Sequence, residues 1–265
     1  MQKVKIKRSH ASGLSLALAV LIICFVIYLL TLAAKTDTIE KYASSDPVNQ
    51  QKRITEEVCL IGGDFYIVHL GACDTEEEAR ILAARYMQMG AAGYLYKSDR
   101  IYAAGNAYSN KSEANEAAER IRLQNIGAGV IHIKSEDAVL RITAAESQIE
   151  AFKSAYSAYQ TLEDELFLIA QRLDAGLSAS NALTQIAIAA YEFTPLKEDM
   201  ESAVSGSSDA ICLQISELCR TAHSEMRKLS KSKLSEMYLA ASIRHTAIDL
   251  RLMRLNCLNG IRQGN

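Results

Sequence analysis

The sequence predicts an α+β fold in three parts: an N-terminal transmembrane helix, a small βαββαβ domain and an all-α C-terminal bundle. Three observations carry this. Residues Leu14 to Ala34 contain no charge and no proline. Between Phe65 and Ile133 the plan strand, glycine, acidic helix, glycine, strand is written twice. From about Glu136 onward the chain is rich in alanine and leucine, with few glycines and a single proline, Pro195.

The 265 residues suffice for one large or two ordinary domains, and 49% hydrophobic with 23% charged residues is a globular composition. A formal net charge of -2, without a basic stripe beyond the first residues, gives no reason to expect nucleic acid as a partner.

Residues 1–13 read as a cytoplasmic tail. Lys3, Lys5, Lys7 and Arg8 precede the apolar run, whereas Lys35 is soon followed by Asp37 and Glu40, so the positive flank stays inside. Residues 14–34, as helix, span about 31 Å, which matches a hydrocarbon core of about 30 Å. The run is longer than a cleaved signal's apolar region, and Leu32 fits poorly at a small-residue cleavage site, so an uncleaved anchor is favoured over a signal peptide. The chain is then a single-pass protein of the cell membrane, with its later parts outside. Residues 35–57 are polar, contain Pro47 and keep no apolar period, which reads as a linker.

Residues 58–135 form the doubled segment. Phe65 to Leu70 is a β-rich run ending at Gly71, and Asp74 with Glu77 opens a helix in capping-box fashion. Ala79, Leu82, Ala83 and Tyr86 give that helix one apolar face. Gly90 ends it, and Gly93 to Tyr96 is a second strand. The second copy runs through Ile101 to Ala104, Gly105, the cap of Asn110 and Glu113, the face of Ala114, Ala117, Ala118 and Ile121, Gly127 and the strand Val130 to Ile133. Two one-sided helices must cover one face of a four-stranded antiparallel sheet, leaving the other face for a ligand or for a cover by the linker or the C-terminal helices. Strict alternation points Val68, Leu70, Tyr102 and Ala104 at the helices, and Ile67, His69, Ile101 and Ala103 at the open face.

Residues 136–265 read as a helical bundle. Ile149, Phe152, Tyr156, Tyr159, Leu162, Leu166, Ile169 and Leu173 step by three or four, and Gly176 closes that helix. Ser178 to Tyr191 is a shorter helix, Pro195 opens another, Ser205 to Ser208 is a break, and Ala210 to Leu229 and Lys233 to Leu258 complete a four-helix-type bundle. Cys212, Cys219 and His223 fall near one helix face, with Cys257 and His245 able to approach, but without a paired CxxC buried thiols are the better reading than a metal. Glu163 and Glu165, two apart on a helix, diverge and suit a solvated face better than acid-base work. No nucleophile elbow, phosphate loop or zinc-protease motif occurs, so no catalytic set, metal or cofactor is expected.

The run Tyr66-Ile67-Val68-His69-Leu70-Gly71-Ala72 before an acidic, alanine-rich helix, then Gly90 and the repeat with Gly105 and Asn110, resembles the sporulation-related repeat (SPOR) domain. The resemblance covers about residues 58–135. It implies a βαββαβ fold of ferredoxin-like or RNP-like type and binding to peptidoglycan glycan strands that lack stem peptides. On this chain the glycan-binding positions would be Ile67, His69, Tyr94, Tyr96, Ile101 and Ala103. His69 stands where the family usually has glutamine, and Ile101 and Ala103 stand where it usually carries arginine. The resemblance therefore implies a non-enzymatic membrane protein at sites of wall remodelling, in division or sporulation, with the C-terminal helices recruiting a protein partner. The alternative is a membrane scaffold whose degenerate SPOR-like sheet binds protein rather than glycan, and a third reading, a wall hydrolase, lacks any recognisable catalytic set.

Overall fold

The computed structural model describes residues 52–264. The tail expected at 1–13, the span at 14–34 and most of the linker lie outside the described residues. Among the described residues no helix is long and apolar enough to cross a membrane. The expected fold class, a membrane-spanning helix followed by a small domain and a separate bundle, is corrected to an α+β arrangement of two small sheets and six helices.

Six strands are β1 (Arg53–Leu60), β2 (Gly63–Cys73), β3 (Tyr94–Lys97), β4 (Ile101–Tyr108), β5 (Gly129–Ser135) and β6 (Ala138–Ala145). The helices are α1 (Glu76–Met87), α2 (Lys111–Arg122), α3 (Glu146–Asp174), α4 (Ala179–Ala203), α5 (Ala210–Ser230) and α6 (Glu236–Gly264).

The doubled segment folds as its pattern predicts, into one antiparallel sheet of order β3-β4-β2-β5. α1 starts one residue beyond the predicted cap: Thr75 Oγ1 accepts from the Glu78 amide at 3.3 Å, with Glu76, Glu77 and Glu78 at the positive end of the helix. Asn110 caps α2 as predicted, accepting from the Ser112 amide at 2.7 Å. Ala114, Ala117 and Ala118 of α2 pack directly on Tyr66 and Val68, small residues that let helix and sheet approach closely. The repeated glycines have a packing reason too. A Cβ on Gly71 would stand 2.5 Å from Leu82 of α1, and one on Gly105 would stand 2.8 Å from Leu70.

A second sheet was not legible. β1 pairs antiparallel with β6 from Arg53↔Ala145 to Leu60↔Ala138. The last residues assigned to the linker and the first assigned to the bundle are thus strands, and α3 begins at Glu146 rather than Ile142. Val58, Leu60, Ala138 and Leu140 are the buried positions of this ribbon, and they join Ile149 and Phe152 of α3 in one core. The opposite edge is polar, with Thr55 and Thr143 hydroxyls hydrogen-bonded across the strands at 2.8 Å.

Helices α3 to α6 form the expected four-helix bundle through short connections at 175–178, 204–209 and 231–235. One boundary is corrected. Pro195 lies inside the continuous helix α4 instead of opening a new one. Proline lacks the amide that would serve the Tyr191 carbonyl, and Tyr191 is 80% exposed, so water is at hand there. The Thr194 hydroxyl donates back to the Ala190 carbonyl at 2.9 Å at the same turn.

Candidate functional site

The sheet face opposite α1 and α2 is where a ligand was expected, and β-pairing decides which side chains reach it. Val68 pairs with Asn106 and His69 with Ala104, so the ladder skips Gly105. This bulge reverses the sense of β4 relative to simple alternation. His69, Tyr102 and Ala104 share the face, joined by Tyr94 and Tyr96 through the pairs Tyr94↔Ala104 and Tyr96↔Tyr102. Ile101 and Ala103 point to the other side, toward α1, which corrects their assignment to the binding face. Tyr102, which sequence reasoning turned toward the helices, is the residue it missed.

Most of this face is not open. Phe65, Ile67, Ala104 and Ala107, flanked by Ile131 and Ile133, lie in the same core as α3 and α6, and Ile67 is fully buried. The Phe65 and Phe167 ring centroids are 6.0 Å apart, and the Arg251 guanidinium from α6 lies over both, at 5.4 and 5.8 Å. Tyr94 meets His245 of α6, whose Nδ1 lies 3.2 Å from the Ala92 carbonyl. Burial first, and then the Asp249 carboxylate, push the Tyr94 phenol up to about 12. Ile67 and Tyr94 are thus structural, and Tyr96 packs at the margin of the same core.

A buried charge cluster anchors the cover. Glu163, read from the sequence as solvated, is fully buried, whereas Glu165 does face solvent. Arg254 Nε donates to Glu163 Oε1 at 3.0 Å and Nη2 to Oε2 at 3.1 Å, while Nη1 donates to the Ile61 carbonyl at 2.9 Å. Arg251 Nε lies 2.5 Å from Glu163 Oε2 as an ion pair without hydrogen-bond geometry, and its other end pairs with Asp164. Burial works against the Arg254 charge, but Glu163 more than offsets it, and the guanidinium is held charged above its ordinary range. At the far end, Arg244 reaches the Gly90 carbonyl and Asp174.

One corner remains. His69 and Tyr102 rings are 4.9 Å apart, half-buried, and the His69 edge lies against Gly129, where a Cβ would come within 2.5 Å of Nε2. His69 Nδ1 is buried without a hydrogen-bond partner. Burial and then the nearby Arg122 lower the His69 pKa, so the neutral imidazole is favoured. The Tyr102 hydroxyl donates to Asp99 at 3.0 Å. An aromatic ring, an unsatisfied ring nitrogen and a carboxylate are the elements of a small polar-aromatic binding corner. His132 sits on the opposite face, stacked on Tyr66 at 4.6 Å and paired with Asp64 at 2.6 Å.

Cys219 and Cys257 are buried, Cys73 and Cys212 are half-buried, and Cys59 is exposed. The five described cysteines are all free. Burial, followed by Glu201, pushes Cys219 up to about 12; burial, followed by Asp209, pushes Cys212 up to about 11; burial pushes Cys257 up to about 11. His223 turns to the Thr194 hydroxyl at 3.1 Å instead of to the cysteines. Among the described residues no group of three or more His, Cys, Asp or Glu is placed to hold a metal ion.

No family model, curated protein or solved structure matches this chain.

Proposed function

We propose that this chain is a non-enzymatic interaction scaffold of the cell envelope, in which a SPOR-like βαββαβ fold is closed over by its own C-terminal helices and a protein partner, rather than a glycan strand, is bound. One observation carries this reading. Phe65, Ile67, Ala104 and Ala107, on the face where a glycan strand would lie, are at most 4% exposed and packed into the bundle core. A sugar strand could not reach them without separating α6 from the sheet and exposing the Glu163, Arg251 and Arg254 charges. Solvent-facing apolar side chains on the bundle, Tyr191 and Ile188 of α4 and Leu213 of α5, offer contact area to a partner.

A second reading is favoured by the His69 corner. A denuded glycan end docked there would stack a sugar ring on Tyr102 and supply the hydroxyl that His69 Nδ1 lacks.

The test is co-sedimentation of residues 52–265 with intact wall sacculi and with sacculi stripped of peptides by an amidase. The scaffold reading expects retention on neither, together with a protein adduct from a photo-crosslinker placed at Tyr191. Retention on stripped sacculi alone, lost in His69→Ala and Tyr102→Ala, would replace it with the glycan reading.

A further inference from the structure

A groove of about 390 Å³ runs between α4 and α5, away from the sheet. Its lining brings Lys197 from α4 against Arg220, His223, Arg227 and Lys228 from α5 and Lys231 at the C-cap of that helix, with Ser224 among them and Glu201 as the one carboxylate. The α5 residues recur at spacings of three and four, so they form a single stripe along the helix. Salt bridges account for only part of this charge. Lys197 pairs with Glu201 at 3.1 Å, Arg220 with Glu217, and Lys228 with Glu225 at 2.5 Å. Arg227 and Lys231 form no ion pair among the described residues, although like charges four apart on a helix repel.

Lys197 is also held unusually deep, its side chain only 16% exposed. Glu201, its ion-pair partner, offsets one charge of the lining, so Arg220, Arg227, Lys228 and Lys231 leave the groove with a net positive potential. His223 reports the same field. Its pKa is lowered, first by burial and then by Lys197 and Arg227, against the opposing pull of Glu198 and Glu201. Thr194 of α4 is its hydrogen-bond partner.

We propose that this groove is a binding site for a linear, phosphate-bearing anion. From Arg220 to Lys231 the stripe extends about 16 Å along the helix axis, longer than one phosphate group needs. Arg220 and Arg227 present planar forks suited to phosphate oxygens, Lys197 and Lys231 add point charges at either side, and Ser224 and His223 supply further donors. The site lies on elements that take no part in the sheet face, so it stands or falls independently of the proposed function.

Calorimetric titration of residues 52–265 with inorganic tripolyphosphate and with orthophosphate tests the proposal. Tripolyphosphate should bind at least about ten-fold more tightly than orthophosphate and weaken as salt rises. The Arg227→Ala/Lys231→Ala variant should lose at least about ten-fold in affinity with an unchanged thermal transition. Bound tripolyphosphate should move the His223 NMR titration upward, because an anion offsets Lys197 and Arg227. Should the double variant unfold, Lys231→Gln, at an exposed position, carries the same comparison. No heat of binding, equal affinity for the two anions, or undiminished binding by these variants would overturn the site.

Discussion

The ring of Tyr94 on β3 meets the ring of His245 on α6 at 60°, edge to face, with centroids 5.2 Å apart. This contact belongs to a seam that runs from Gly90 through Phe65 to Ile61, and along it sheet and bundle share one core. Urea unfolding followed by tyrosine fluorescence and by far-UV circular dichroism should therefore give coincident single transitions. Two separated transitions would show that the sheet and the bundle are independent domains.

Glu163→Gln removes the one carboxylate among the described residues that is buried against Arg251 and Arg254, while keeping its shape. Arg254 would then be left in the core without its carboxylate partner, and Arg251 with only the exposed Asp164. A loss of about 3–5 kcal/mol in unfolding free energy is expected. Chemical denaturation checks this, and a loss below about 1 kcal/mol would mean that water reaches the cluster.

His69 has a folded-state pKa below its ordinary value of about 6.5. The unfolded chain then binds the proton more readily than the folded chain, so the stabilising contribution is full above about pH 6.5 and is lost as pH falls toward the folded value. The His69 imidazole should titrate below 6.5 by NMR, and Arg122→Met should move that midpoint upward. A midpoint at or above 6.5 would contradict the buried placement of the ring.

Gly129→Ala puts a methyl where the His69 imidazole lies. A cost of about 1–3 kcal/mol is expected. Because the clash is with the ring, His69→Ala in the same chain should recover most of it, and the double-mutant cycle should show that coupling. Additive losses would place the strain in the backbone instead.

Cys59 is exposed, whereas Cys219 and Cys257 are buried with raised thiol pKa values. With residues 52–265 in native buffer, an aromatic disulfide reagent should label Cys59 rapidly and Cys219 and Cys257 only on unfolding. Rapid native labelling of Cys219 would show that α5 opens locally.

The parts of this fold legible in the sequence are those written locally. The paired glycines, the acidic helix starts and the small-residue faces of α1 and α2 specify a βαββαβ sheet without reference to distant residues. Ile67 and His69 were placed on the side of the sheet that they occupy for the same reason. Ile101 and Ala103 were not, because alternation was counted straight through Gly105, and a bulge shifts the count by one. The ribbon of β1 and β6 escaped notice because each strand is half polar and their partners lie some ninety residues apart. Glu163 looked solvated because its compensating arginines stand on another helix, Arg254 being 91 positions away.

The ribbon also sets how the chain would respond to a pull. Arg53 and Ala145 are its terminal pair, adjacent to the point where residue 52 enters and α3 departs. Tension between residue 52 and the bundle would load that pair first and open the ladder one rung at a time, from Arg53↔Ala145 toward Leu60↔Ala138. The ribbon is arranged as a zipper rather than a shear clamp. It would yield at low force, releasing the length of β1 at residue 52 while the four-stranded sheet and the bundle stay closed on each other.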